Sequence, residues 1–166
     1  LDITPYKLAE RFVGIRELAG AAANHPLIQW WLSLCGLPLE EPDETPWCSA
    51  FVNGIAWELR LPRSKSAAAR SWLTVGTPVA LEDARPGFDI VVFTRTGNAP
   101  GPEVLNAPGH VAFFAGLELL GTPSSEQRGS IVLALGGNQS DGVSIARFPV
   151  LPVHNGRRVL GVRRLA

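Results

Sequence analysis

The sequence predicts an α+β fold, with N-terminal helices packed on a five- to six-stranded antiparallel sheet. Two observations carry this. Up to Gly76 the apolar residues recur at helical spacing, in segments broken by proline and glycine. Beyond Gly76 the pattern changes to short β-branched runs joined mostly by short turns. Helices first and strands afterwards favour an antiparallel sheet over alternating α/β units. A third observation is length: 166 residues without repeat or linker are expected to form one catalytic domain, 1–166.

The elements follow in order. Leu8, Phe12, Ile15 and Ala19 are spaced as one helical face, which predicts a helix over 5–19. The Asn24-His25-Pro26 turn precedes a second helix to about Leu34, closed by Gly36 and Pro38, with His25 solvated or capping and Trp30 and Trp31 read as core. A third helix is expected from Pro46, capped by Thr45, with Phe51, Ile55 and Leu59 buried. A short helix capped by Ser64 runs through Trp72. Strands are expected at Asp89–Thr94, from His110, at Ser130–Leu135, at Val143–Val150 and at Val159–Leu165. The long connection 95–109 is of the kind that is usually functional.

Composition excludes several functions. Hydrophobic residues make up 46% of the chain, as in a globular protein. Lys+Arg and Asp+Glu both number 15, and this balance argues against nucleic acid as a partner. No apolar run reaches the roughly 20 residues of a membrane span, and no signal peptide is visible. The chain opens on Leu1 and holds no methionine, as in a processed or trimmed product, so location is left open. Two cysteines and three scattered histidines match no zinc spacing; no metal and no cofactor are expected, and the protein is read as a monomer.

Chemistry concentrates at Thr45-Pro46-Trp47-Cys48. A cysteine in the first turn of a helix feels the positive end of the dipole, which favours the nucleophilic thiolate. The alternative is a small buried apolar residue, the reading preferred for Cys35 in its apolar run. A nucleophilic cysteine needs a base and a group that orients the base. His110, where the long loop enters a strand, is the candidate base, and Asn138, after the following strand, the candidate orienter. If the two strands are antiparallel neighbours, His110 and Asn138 meet at one edge of the sheet. The alternative for Gly136-Gly137-Asn138 is a turn using residues that tolerate positive φ. His154 is a weaker candidate base. An imidazolium beside Cys48 is expected to hold the thiol below its free value of about 8.5, against the opposing acids Asp43 and Glu44.

Four segments stand in order: Asp43-Glu44-Thr45-Pro46-Trp47-Cys48, Pro86-Gly87-Phe88-Asp89, Gly109-His110-Val111 and Gly136-Gly137-Asn138-Gln139. Together with Ser66–Leu73 they resemble the papain-like cell-wall hydrolases of the CHAP and NlpC-type amidohydrolase/peptidase group. Within it they look most like a phage and prophage family with Asp-Glu-x-Pro-Trp-Cys, Gly-His-Val and Gly-Gly-Asn-Gln motifs. Phe88 is inserted into the usual Pro-Gly-Asp, and Gly136 stands where some CHAP enzymes place a carboxylate. The calcium-loop pattern of some CHAP domains is not reproduced by Glu40–Glu44.

The resemblance implies a papain-like fold and a peptidoglycan hydrolase. It would cut an amide of the stem peptide, as endopeptidase or N-acetylmuramoyl-L-alanine amidase, in a phage endolysin or an antibacterial effector. Cys48, His110 and Asn138 would be catalytic, with Asp43, Glu44 and Trp47 as substrate-binding candidates. The site of action would be the bacterial wall. The alternatives are a non-enzymatic phage-tail or wall-binding module of the same fold, and a cysteine peptidase or amidase acting on other amides.

Overall fold

A computed structural model of the protein describes residues 3–20, 24–121, 129–150 and 156–166. Helices α1 (Pro5–Ala9), α2 (Pro26–Ser33) and α3 (Cys48–Glu58) precede a sheet of β1 (Thr77–Val79), β2 (Asp89–Thr94), β3 (Gly109–Leu120), β4 (Gly129–Gly136), β5 (Ser144–Val150) and β6 (Val159–Arg164). The strand order is β1-β6-β2-β3-β4-β5, antiparallel at every pairing. The α+β class and the antiparallel sheet are therefore as the sequence predicts. Among the described residues no helix is long and apolar enough to cross a membrane.

Three local expectations need correction. The first helix is not one helix over 5–19: α1 gives way to a 3₁₀ turn at Glu10–Phe12. Gly14 then turns with φ +97° and donates its N–H to the Val143 carbonyl, the Val143 N–H donates to the Ile15 carbonyl, and the Glu17 N–H donates to the Asp141 carbonyl. Those tertiary bonds replace the helical ones the periodicity suggests. In the second case α3 starts at Cys48, two residues late. Thr45 is no cap, because its hydroxyl donates to Glu41 Oε1 at 2.7 Å. In the third, the Ser64-capped helix is a 3₁₀ segment, Ala69–Thr74. Ser64 instead accepts a bond from the Asn53 amide at 3.0 Å.

His25 caps α2, its Nδ1 accepting from the Leu27 N–H at 3.2 Å, and Pro26 fills the first helical position. Helix α3 is buried from Cys48 to Ala56 and packs on β3. It ends in a Schellman turn, with Arg60 in the left-handed region and the Leu61 N–H on the Ala56 carbonyl at 2.8 Å. Side-chain alternation along β2 and β3 then builds two cores. Ile90, Val92, Val111 and Phe113 meet the helices through Phe51, Ile55 and Trp31. Val91, Phe93, Ala112 and Phe114 face the other way, against Val132, Ala134 and Phe148. Asp89 starts β2 despite the inserted Phe88, and its carboxylate holds Arg164 of β6 by two bonds of 2.7 Å.

Candidate active site

Cys48 is the first residue of α3 and is 3% exposed. Backbone N–H groups of Val111, Ser49 and Cys48 itself favour its thiolate, as does the charge of Arg95. Burial outweighs them and pushes the thiol up. The sequence-based expectation of a lowered thiol is thus reversed in this state. The reason is that a helix end and a guanidinium recover less than the loss of hydration costs.

His110 follows Gly109 at the start of β3 and is 6% exposed. Its ring packs beside Phe93, 6.4 Å away and nearly parallel, and Phe148, 5.2 Å away, which are themselves 4.9 Å apart. The ring nitrogen Nε2 is 3.0 Å from Gln139 Oε1. The Gln139 amide nitrogen is committed elsewhere, to the Ser144 carbonyl at 2.6 Å and its hydroxyl at 3.3 Å. Its oxygen must therefore face the ring, and the ring must donate. That fixes the proton on Nε2 and leaves Nδ1 as the basic nitrogen. Burial pushes the imidazole down to about 4; the Gln139 bond resists this, while Arg157 and Arg95 add to it. At neutral pH both thiol and imidazole are uncharged.

What links the two groups is the start of β3. Strand β3 pairs with β4 only from Phe113↔Leu135 onward, so its first residues have β2 alone beside them. Into that gap the Val111 N–H points at the Cys48 sulfur, one peptide from His110. Arg95 acts on both the thiol and the imidazole, and Arg157 is coupled to both as well.

The expected orienter is displaced by one residue. Asn138 has φ 55°, so the turn reading of this segment describes the backbone correctly. The left-handed residue reverses the chain and sends Gln139, not Asn138, back onto the ring. Gly137 has no room for a side chain because Trp47 and Phe51 press against it. Asn138 lines a cleft of about 180 Å³ with Arg95, His110, Gln139, Ser140, Ala146, Phe148 and Arg157. His154 lies outside the described residues.

The three substrate-binding candidates are corrected in part. Trp47 is fully buried, stacks on Trp31 at 5.8 Å and donates its indole N–H to Glu17 at 2.7 Å. Asp43 is also fully buried, its Oδ2 accepting from the backbone of Leu18 at 3.1 Å and of His25 at 2.8 Å. Both clamp the approach to α3 and are shut off from any substrate. Glu44 is exposed. Among the described residues no three His, Cys, Asp or Glu side chains gather as a metal set.

Sequence reasoning missed four residues: Gln139, Arg95, Arg157 and Arg70. The last is 0% exposed and has no carboxylate partner among the described residues. Instead it donates to the carbonyls of Pro100, Gly101, Val104 and Pro108 at 2.7–3.2 Å. One guanidinium thereby fixes the long loop leading into Gly109 and His110. A lone arginine in a run of small residues, Ser66–Ser71, was the available signal. With this geometry in hand, comparison with protein-family models, curated proteins and solved structures gives no match.

Proposed function

We propose that the protein is a cysteine-dependent amide hydrolase of papain-like fold whose substrate is the stem peptide of bacterial peptidoglycan. The observation that carries the chemistry is the junction of α3 with β3. There a first-turn cysteine and a histidine of fixed tautomer share one buried, cationic neighbourhood. The substrate class rests on the four ordered motifs around Cys48, Asp89, His110 and Gln139.

The neutral resting pair favours general-base attack over a preformed ion pair. The Cys48 proton passes to His110 Nδ1 as sulfur bonds to the scissile carbonyl carbon, and the carbonyl electrons move onto oxygen. The Cys48 backbone N–H, at the helix start, would stabilise that oxyanion. Collapse breaks the C–N bond, and the leaving amine takes the proton from Nδ1. Water then gives a proton to Nδ1 while its oxygen attacks the thioester. Release of the carboxylic acid returns the proton to sulfur. Gln139 keeps Nε2 protonated throughout, so Nδ1 is always the nitrogen that exchanges protons.

The test is mass spectrometry of fragments released from purified sacculi by the wild type and by Cys48→Ala. Release at one kind of amide bond, lost in the variant, is expected; the bond identifies endopeptidase or amidase. A folded wild type that releases nothing overturns the proposal.

A further inference from the structure

Among the described residues the cleft beside His110 is lined by charge of one sign only. Its ionisable lining besides His110 is Arg95 and Arg157, and Asn138 adds an amide. Among the described residues no carboxylate lies within ion-pair distance of either guanidinium. Arg164 makes the contrast, since it spends its fork on Asp89. Arg157 sits over the Phe148 ring, 4.7 Å from its centroid. Such a contact locates the cation without consuming its N–H donors. Its backbone N–H is tied to the Pro149 carbonyl at 2.8 Å, so the residue is anchored from both ends. Two like charges on one cleft, Arg157 half-buried and Arg95 exposed, repel each other until an anion joins them. Burial and Arg95 both lower the Arg157 pKa, in keeping with this. The lining beside them is held in uncommon backbone geometry, with Asn138 and Ser140 at φ of 55° and 53°.

We infer that the cleft is a carboxylate subsite, in which Arg95 and Arg157 grip a free carboxylate of the substrate and Asn138 assists as a neutral donor. A planar carboxylate matches the guanidinium fork, and a desolvated one gains most from it. Resting on the hydrolase reading, this narrows the substrate to peptides with a free carboxylate next to the amide that is cut. Wall peptides carry such groups, and many neutral amides do not.

Two arms separate the subsite from the hydrolase reading. In the first, Cys48 is alkylated in a Cys35→Ala background by iodoacetate or by its neutral counterpart iodoacetamide. In each the sulfur bonds to the methylene carbon and iodide leaves. Normalised to free cysteine, the iodoacetate/iodoacetamide rate ratio should exceed 1 by about fivefold or more at low salt and fall as salt is added. It should drop to about 1 in Arg157→Gln and persist in Arg157→Lys. Arg95 is exposed, so Arg95→Gln gives a second reading even where Arg157→Gln fails to fold. A ratio of 1 in the parent protein overturns the subsite, and where neither reagent reaches the buried thiol the second arm decides. In the second arm, sacculi are compared before and after their carboxylates are amidated with carbodiimide and ammonia. Release slowed by about tenfold or more supports the subsite. Equal rates overturn it while the hydrolase stands. An anion preference in the first arm with no release from either substrate upholds the carboxylate site and sinks the hydrolase.

Discussion

Arg70 and Arg157 are both arginines drawn in beside the path of the chain around His110, and they are used in opposite ways. Arg70 is completely buried and has its donors spread over four carbonyls of a single loop. Arg157 is half-buried, lies on an aromatic ring, and faces another arginine across a cleft. A polar group whose three nitrogens all find acceptors inside the fold is a structural part, with little capacity left for a ligand. An unsaturated one beside a cavity retains capacity for something that arrives. The same contrast divides the Ser49–Asn53–Trp72 network from the cleft. Ser49 donates to the Ser66 carbonyl at 2.6 Å and accepts from the Trp72 indole at 2.9 Å, while Asn53 binds the Lys65 N–H at 2.9 Å.

The contrast is sharpened by substitutions that should move activity on one side and stability on the other. Cys48→Ala should lower fragment release by at least about a thousandfold with an unchanged unfolding midpoint, since removing a nucleophile costs orders of magnitude. Sacculus digestion and thermal melting measure the two. A variant that keeps a tenth of the rate ends the covalent mechanism.

Gln139→Ala should reduce kcat by about 10- to 100-fold by freeing the wrong tautomer, whereas Asn138→Ala should act mainly on KM. Gln139→Glu gives a signed test. In the proposed mechanism the neutral imidazole acts as the base, so activity should fall as pH drops through about 4. A carboxylate on Nε2 favours imidazolium, raises that pKa and moves the acid limb upward. A limb that stays in place would mean that His110 is not the base.

On the saturated side, Arg70→Leu should cost roughly 3 kcal/mol or more in denaturant unfolding, because several loop carbonyls lose their donors at once. Arg70→Lys should recover only part, since an ammonium cannot span the same carbonyls. A neutral result would show that the loop holds itself.

His110 also ties the site to stability. Its folded pKa, about 4, lies below the unfolded value of about 6.5. The unfolded chain then binds more protons between these values, so stability falls as pH drops from about 6.5 to 4, by roughly 3 kcal/mol in all. His110→Gln should lack that component of the pH–stability curve. An identical curve in the variant would place the imidazole in water.

The smallest effect is expected at Cys35, half-buried against the helix core, with its thiol pushed up to about 11 by burial. Cys35→Ala should cost about 1 kcal/mol and leave fragment release unchanged. Lost activity in the folded variant would shift attention to this second thiol.

What the sequence by itself determined follows from local and near-local rules. The change from helical to alternating apolar pattern after Gly76 and the strand at Asp89–Thr94 were legible, and so was the cap at His25-Pro26. These depend on side-chain period, proline and capping chemistry, which act within a few residues. Cys48 in a helical first turn and His110 at a strand start were legible for the same reason. Tertiary structure alone decided the rest. Burial raised the thiol and lowered the imidazole, because desolvation depends on every element packed around a group. A left-handed Asn138 gave the imidazole to Gln139, and a one-residue reversal of that kind is set by how Gly137 fits under Trp47. Arg70, Arg95 and Arg157 acquire their meaning only from carbonyls, rings and charges brought near from distant parts of the chain, and no spacing in the sequence records those distances.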